Sequence, residues 1–252
     1  KKLHDNKEKA QVFVRPRRFG KSVTMSMLHH FYSSHVDDID TKGLFDSLLI
    51  NKNDPKFVQD HQGKYNVIKL NFLDLSLARN IDEFYEQVAM MLNKCVKSIN
   101  DPKVKQDLMD ELQNTRFSED KRNKLRCGLR ILLESYRLST KKVIIMIDEF
   151  EVPIKRAFQR GDAQLLDEVK EFMNAFLMPL KSQQNRYLKA FLFGITRISL
   201  GSLDSSVGNC LTTYDMRDDF ASDLFGFTEN EVKSLLEKAH LENKLNDVAS
   251  WY

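Results

Sequence analysis

Five consecutive apolar residues, Val143-Ile144-Ile145-Met146-Ile147, run straight into Asp148-Glu149. A strand with one wet face alternates apolar and polar residues, so an unbroken run like this predicts a strand buried on both faces. Such a strand needs helices above and below it, and the chain supplies candidates. Val12-Phe13-Val14 is a short apolar run, Asn66 to Phe72 alternates apolar and polar, and Leu188 to Ile195 is as apolar as the first run. Between them lie helical stripes: Ile81, Phe84, Val88, Met91, Leu92 and Cys95; then Leu125, Leu129, Leu132, Leu133 and Tyr136; then Leu165, Leu166, Val169, Phe172, Met173, Phe176, Leu177 and Leu180. Stripes of this kind are helix-to-core packing. Strands alternating with helices imply parallel pairing through right-handed crossovers, giving an α/β sandwich of three layers with a mainly parallel sheet. Ligands of such sheets sit at the carboxyl ends of the strands.

Composition narrows the class. The 252 residues suit one large domain or two small ones, and 42% hydrophobic with 30% charged residues can bury a full core and stay in solution. No apolar run is long enough for a membrane helix, and Lys1 to Lys9 is polar rather than signal-like. Lysine plus arginine is 39 against 36 acidic residues, a net charge of +3, which neither demands nor excludes nucleic acid. Cys95, Cys127 and Cys210 lie far apart with no C-x-x-C pair, as expected of reduced thiols in the cytoplasm, and Cys95 falls on an apolar helix face as a core residue. The six histidines show no metal-ligand spacing.

Local signals mark the element ends. Asn80 with Glu83 forms a capping box, and Asp101-Pro102 and Gly161-Asp162 read as turns. Gly201 to Asp223 is rich in Ser, Asp, Asn and Thr without a sustained period, and reads as a long loop or a set of short pieces. After it, Thr228 and Glu231 form a second capping box, with Phe227 and Val232 as its hydrophobic staple. The expected division is a core over 1–225 and the start of a C-terminal helical or lid region over 226–252. The ending Ser250-Trp251-Tyr252 carries no stop signal, so a further C-terminal domain outside this chain is expected.

The residues that carry chemistry fall just after the strands. Arg15-Pro16-Arg17-Arg18-Phe19-Gly20-Lys21-Ser22 follows the first run. A phosphate-binding loop reads G-x-x-x-x-G-K-[ST] between a strand and a helix; here G-K-S is intact and Arg15 occupies the first glycine position. Gly20 lets backbone approach phosphate, the helix N-terminus offers unpaired N–H groups, Lys21 reaches the β- and γ-phosphates, and Ser22 binds Mg²⁺. The cofactor-binding set is Arg17, Arg18, Phe19, Gly20, Lys21, Ser22 and Val23, joined by Thr196. Arg15 before Pro16 is restricted to extended conformations, so the loop must enter differently or bind phosphate less well. The apolar run ending in Asp148-Glu149 is a Walker B pattern: Asp148 holds Mg²⁺ with Ser22, and Glu149 orients and deprotonates the attacking water. The strand ending Gly194-Ile195-Thr196-Arg197 would lie between these two if the sheet has an additional strand, and Thr196 or Arg197 would then sense the γ-phosphate.

At these residues the chain resembles the AAA-ATPase-like family, whose loop reads R-P-R-R-F-G-K-S as Arg15 to Ser22 does here. The resemblance continues through I-D-E at Ile147 to Glu149, Pro153-Ile154, G-I-T-R-I-S at Gly194 to Ser199, F-G-F-T-E at Phe225 to Glu229 and Trp251-Tyr252. It implies a P-loop ATPase core of the additional-strand class, with ATP and Mg²⁺ as cofactors, in which Arg15 is a family feature. It also implies a following nuclease-like domain of the PD-(D/E)XK type.

Three functions compete on these residues. The first is an ATP-hydrolysing domain with Lys21, Glu149 and Arg197 as catalytic residues, which drives its own C-terminal domain and assembles as a homo-oligomer if an arginine finger comes from a neighbour. Arg17, Arg18 and Arg217 are the finger candidates within the chain. The second is a nucleotide-gated switch with little turnover. The third is a nucleic-acid module of the full-length protein that uses Arg15, Arg17 and Arg18.

Overall fold

The computed structural model describes residues 1–97, 99, 105–106, 119–182, 186–196 and 208–251. The expected turn at Asp101-Pro102, the strand-end Arg197, Ile198-Ser199, Gly201 to Val207 and Tyr252 lie outside the described residues. The strands are β1 (Ala10–Val14), β2 (His35–Val36), β3 (Ile39–Asp40), β4 (Asn66–Asn71), β5 (Val143–Asp148), β6 (Tyr187–Gly194) and β7 (Leu211–Tyr214). The principal helices are α1 (Lys21–Tyr32), α2 (Ile81–Lys97), α3 (Glu119–Arg126), α4 (Gly128–Ser135), α5 (Val152–Arg160), α6 (Ala163–Leu177) and α7 (Glu229–Lys238).

Every residue of β5 is buried, as its unbroken apolar run requires. The main sheet has the order β4-β5-β6-β1-β7, with all neighbours parallel. Strand β6 therefore separates β1 from β5, which is the additional-strand arrangement. Alternate residues feed two cores. Val12, Val14, Ile145, Ile147 and Leu192 face one layer with α2, α4 and α6. Phe13, Ile144, Met146, Phe191 and Phe193 face the other with Met25, Phe31 and Tyr32 of α1. The first layer is locked by aromatic contacts: Phe84 meets Phe172 edge-on with ring centroids 5.1 Å apart, and Phe172 meets Phe176 at 5.1 Å. This is a three-layer αβα sandwich.

Two pieces of sheet escape the periodicity. Strand β7 falls inside the stretch expected to be loop; its Leu-Thr-Thr-Tyr sequence holds a single buried residue, and it exists because its backbone pairs with Ala10 to Phe13 of β1. The β2–β3 hairpin turns through Asp37 and Asp38, both at positive φ (48° and 65°), the geometry a two-residue turn between twisted strands needs. The stripe from Leu125 to Tyr136 is divided into α3 and α4 at Cys127. Gly128 there lies so close to Leu92 that a Cβ would approach its Cδ1 to 2.7 Å.

Both expected helix caps are present. Asn80 Oδ1 accepts from Glu83 N at 2.9 Å, while the Glu83 carboxylate accepts from Arg79 N and from the Asn80 side-chain amide rather than from the Asn80 backbone N–H. Thr228 and Glu231 form a full capping box at the start of α7. The staple is not formed, since Phe227 is 71% exposed. From 226 to 250 no residue is buried. Gly161 takes φ +73° behind α5, and Asp162 caps α6 through Leu165 N at 3.0 Å, which confirms the turn between them. Cys95 is buried, and burial pushes its thiol up to about 12, consistent with a core residue. No helix among the described residues is long and apolar enough to cross a membrane.

Two histidines make the fold acid-sensitive. His4 packs against Phe57, His61 and the tyrosines Tyr32 and Tyr65, with the His61 ring at 4.1 Å. Burial, then the neighbouring His61, lowers its pKa from 6.5 to about 4; burial, then Lys69, does the same for His29. The unfolded chain therefore binds these protons first. The stability the neutral rings contribute is complete above pH 6.5 and is lost as pH falls towards 4. Thermal melts should drop across that window, and a His4→Phe, His29→Leu double variant should show a shallower drop. An unchanged slope would mean other groups control acid unfolding.

Candidate functional site

The parallel register ends β1, β5 and β6 side by side. Val14 pairs with Gly194, and Ile147 with Leu192, which leaves Asp148 at the same edge of the sheet. The loop Arg15 to Gly20 leaves β1 there and turns into α1. Gly20 is the N-cap of α1 with φ +74° and ψ 13°. A Cβ on Gly20 would meet nothing within 4 Å, so the requirement for glycine is conformational rather than steric. Arg18 also has positive φ, 68°. With both residues at positive φ the loop turns into the N-terminus of α1, and the unpaired first N–H groups of a helix suit an anion.

Side chains converge on the same spot. Ser22 Oγ donates to Asp148 Oδ2 at 2.9 Å, and Asp148 Oδ1 accepts from Glu149 N at 3.0 Å. Lys21 is buried, and its Nζ donates to the Arg15 carbonyl at 3.0 Å and to the Pro16 carbonyl at 2.9 Å. An ammonium has three donors, so one remains for an incoming oxygen. Glu149 is held at φ +52°, a conformation a glutamate adopts only at some cost, on the order of 1 kcal/mol or more, and one that concentrates at functional sites. Its side chain lines a cleft of about 280 Å³ together with Arg17, Glu151, Lys155, Arg156 and Ile195. Arg17, Arg18 and Val23 are exposed, and Phe19 and Gly20 half-exposed. Thr196 closes the edge beside Gly194, with its Oγ1 buried. Arg217 is exposed and pairs with Asp215 at 2.8 Å.

Arg15 takes a part that its sequence position did not suggest. It is 2% exposed, and its guanidinium donates to the carbonyls of Val14 (2.9 Å), Tyr214 (3.0 Å) and Ala221 (3.0 Å). The cation also lies 5.0 Å from the Phe225 ring centre. Its own N–H donates to the Gly194 carbonyl at 3.0 Å. Arg15 is therefore a staple joining the loop entry to β7 and to Asp219–Leu224, and is withdrawn from any basic surface. Restoring the usual loop pattern with Arg15→Gly should destabilise the chain by about 3 kcal/mol, because three carbonyls lose a charged donor. Denaturant unfolding measures this; equal or greater stability would show the staple to be dispensable.

Glu151 was not singled out by sequence. It is 1% exposed, stands at the N-cap position of α5 without a side-chain capping bond, and its Oε1 accepts from Ile195 N at 3.0 Å. Burial raises its pKa, opposed by hydrogen bonding and by the Lys21 ammonium. The signal available was a third acidic residue in Asp148-Glu149-Phe150-Glu151, which is indistinguishable in sequence from a solvated acidic turn.

A sheet with an additional strand between the loop strand and the acidic strand, carrying G-K-S on the first and Asp-Glu on the second, defines the P-loop αβα class. The chain belongs to the predicted AAA-ATPase family, whose model matches residues 1–204. No curated protein matches the chain. Among solved structures, the crystal structure of Cdc6p from Pyrobaculum aerophilum is similar at 15% identity with a TM-score of 0.36. The alignment covers 93% of this chain and 44% of that one.

Proposed function

We propose that the chain is a Mg²⁺-dependent ATP-binding and ATP-hydrolysing domain. The observation that carries this is the 2.9 Å contact between Ser22 Oγ and Asp148 Oδ2, which joins the loop and the acidic strand across 126 residues of sequence. Two adjacent hard oxygens fit Mg²⁺, which keeps several waters and takes few protein ligands when it also binds phosphate. Ser22 and Asp148 would hold the ion, which would supply positive charge to offset that of the phosphates. Lys21 directs its remaining N–H to phosphate, and the α1 N-terminus with the Arg18–Gly20 backbone receives the rest of the group. Arg17, Arg18, Phe19 and Val23 frame the nucleotide. Glu149 orients the attacking water and takes its proton, and Thr196 senses the γ-phosphate, with Arg197 as the other candidate. Calorimetric titration of ATP with Mg²⁺, alongside phosphate release, tests this on the chain and on Lys21→Ala. No binding to the unaltered chain would sink it.

A nucleotide-gated switch is the second reading, favoured by how the loop meets the C-terminal segment. Gly226 N donates to the Phe19 carbonyl at 3.1 Å, and Thr24 Oγ1 to the Leu224 carbonyl at 3.3 Å. Nucleotide at the loop therefore bears directly on the start of α7. In this picture residues 1–225 are the core and 226–252 the start of a helical or lid region that passes the signal to a nuclease-like domain of the full-length protein. Burial of Arg15 leaves Arg17 and Arg18 for nucleic acid, which weakens that third reading for this chain.

A further inference from the structure

Glu151 is costly to bury. Its Oε2 and the Oγ1 of Thr196 are both buried without a hydrogen-bond partner among the described residues. An acceptor for Ile195 N–H alone could be a neutral amide or hydroxyl. The surroundings show what the carboxylate is pressed against. A side chain at Gly194 would bring a Cβ within 2.4 Å of Glu151 Oε2 and within 2.4 Å of Phe150 Cε1. Glycine at the end of β6 thus lets the strand rest directly on this carboxylate. Phe150 N donates to the Phe193 carbonyl at 3.2 Å, and Arg15 N donates to the Gly194 carbonyl from the other side. Val152 N donates to the Glu149 carbonyl at 3.0 Å, closing the turn that holds Glu149 at positive φ. Glu151 therefore sits where the loop entry, the Glu149 turn and the end of β6 meet. Of the charges around it, the Lys21 ammonium favours its ionised form and Glu149 opposes it.

We propose that Glu151 is the positioning residue of the γ-phosphate sensor: by holding Ile195 N–H it fixes the end of β6 so that the Thr196 hydroxyl faces the terminal phosphate. This rests on the nucleotide reading above. Glu151 acts through Thr196 and need not touch the nucleotide. Its replacement should then erase the distinction between ATP and ADP while leaving the rest of the site intact.

The test is the ratio of ADP to ATP dissociation constants, measured with Mg²⁺ by calorimetry, with thermal melts in parallel. The unaltered chain should prefer ATP. Thr196→Ala should reduce the preference about tenfold, the size of one hydrogen bond to a charged group. Glu151→Ala and Glu151→Asp should match it with ADP affinity unchanged; the aspartate keeps charge and burial but draws its oxygens away from Ile195 N–H. Glu151→Gln retains an acceptor oxygen and should restore most of the preference. The double variant Glu151→Ala, Thr196→Ala should lose no more than either single one. Additive losses, an intact ATP preference in Glu151→Ala or Glu151→Asp, or equal weakening of ADP and ATP would overturn the proposal. So would an unaltered chain that binds both nucleotides equally. An unaltered chain that binds neither nucleotide is a different failure, since it removes the nucleotide reading itself.

Discussion

Lys21→Ala is expected to weaken ATP binding by roughly ten- to a hundredfold and to abolish any phosphate release. A charged donor to phosphate contributes about 1.5–3 kcal/mol net, and each 1.4 kcal/mol is a factor of ten. The variant also removes two internal hydrogen bonds, to the Arg15 and Pro16 carbonyls. Some loss of stability should accompany it, about 1–2 kcal/mol. Lys21→Met, which fills similar volume without the charge, separates the two effects: the melting temperature should partly recover and the affinity should not. Affinity that returns with the methionine would mean that Lys21 serves the loop's shape rather than phosphate.

Glu149→Gln should lower the rate of phosphate release by on the order of a hundred- to ten-thousand-fold, the range of a positioned general base, with ATP affinity kept or improved. The amide preserves the shape of the side chain at φ +52°, so the turn should survive. The same variant separates the two leading functions. A hydrolysing domain is arrested with ATP bound, whereas a gated switch keeps its nucleotide response almost unchanged. Single-turnover phosphate release together with ATP titration reads both. A rate equal to that of the unaltered chain would remove Glu149 from the chemistry.

Much of this site is legible in sequence because its signals are local. Gly20-Lys21-Ser22 needs only a strand before it and a helix after it, and Asp148-Glu149 needs only the end of a buried strand. The capping residues Asn80, Asp162 and Thr228 act on backbone within three residues of themselves. The less visible parts are those whose partners lie far along the chain. The guanidinium of Arg15 bonds carbonyls 199 and 206 residues away, so a sequence reader sees only a basic residue in a basic loop. Glu151 meets Ile195 across 44 residues, and nothing in Asp-Glu-Phe-Glu distinguishes a buried carboxylate from a wet one.

By itself the sequence determined the layers and the loop. Hydrophobic period, glycine conformation and helix capping are properties of neighbouring residues and survive in any context. Only the tertiary structure decided that β7 exists, that Arg15 points inward, and that a third carboxylate, Glu151, supports the strand end beside Thr196. Each of those depends on desolvation and on hydrogen-bond partners that folding brings together. A polar side chain acquires its role from where its few donors and acceptors are forced to find partners, and that is fixed only when the sheet has closed around them.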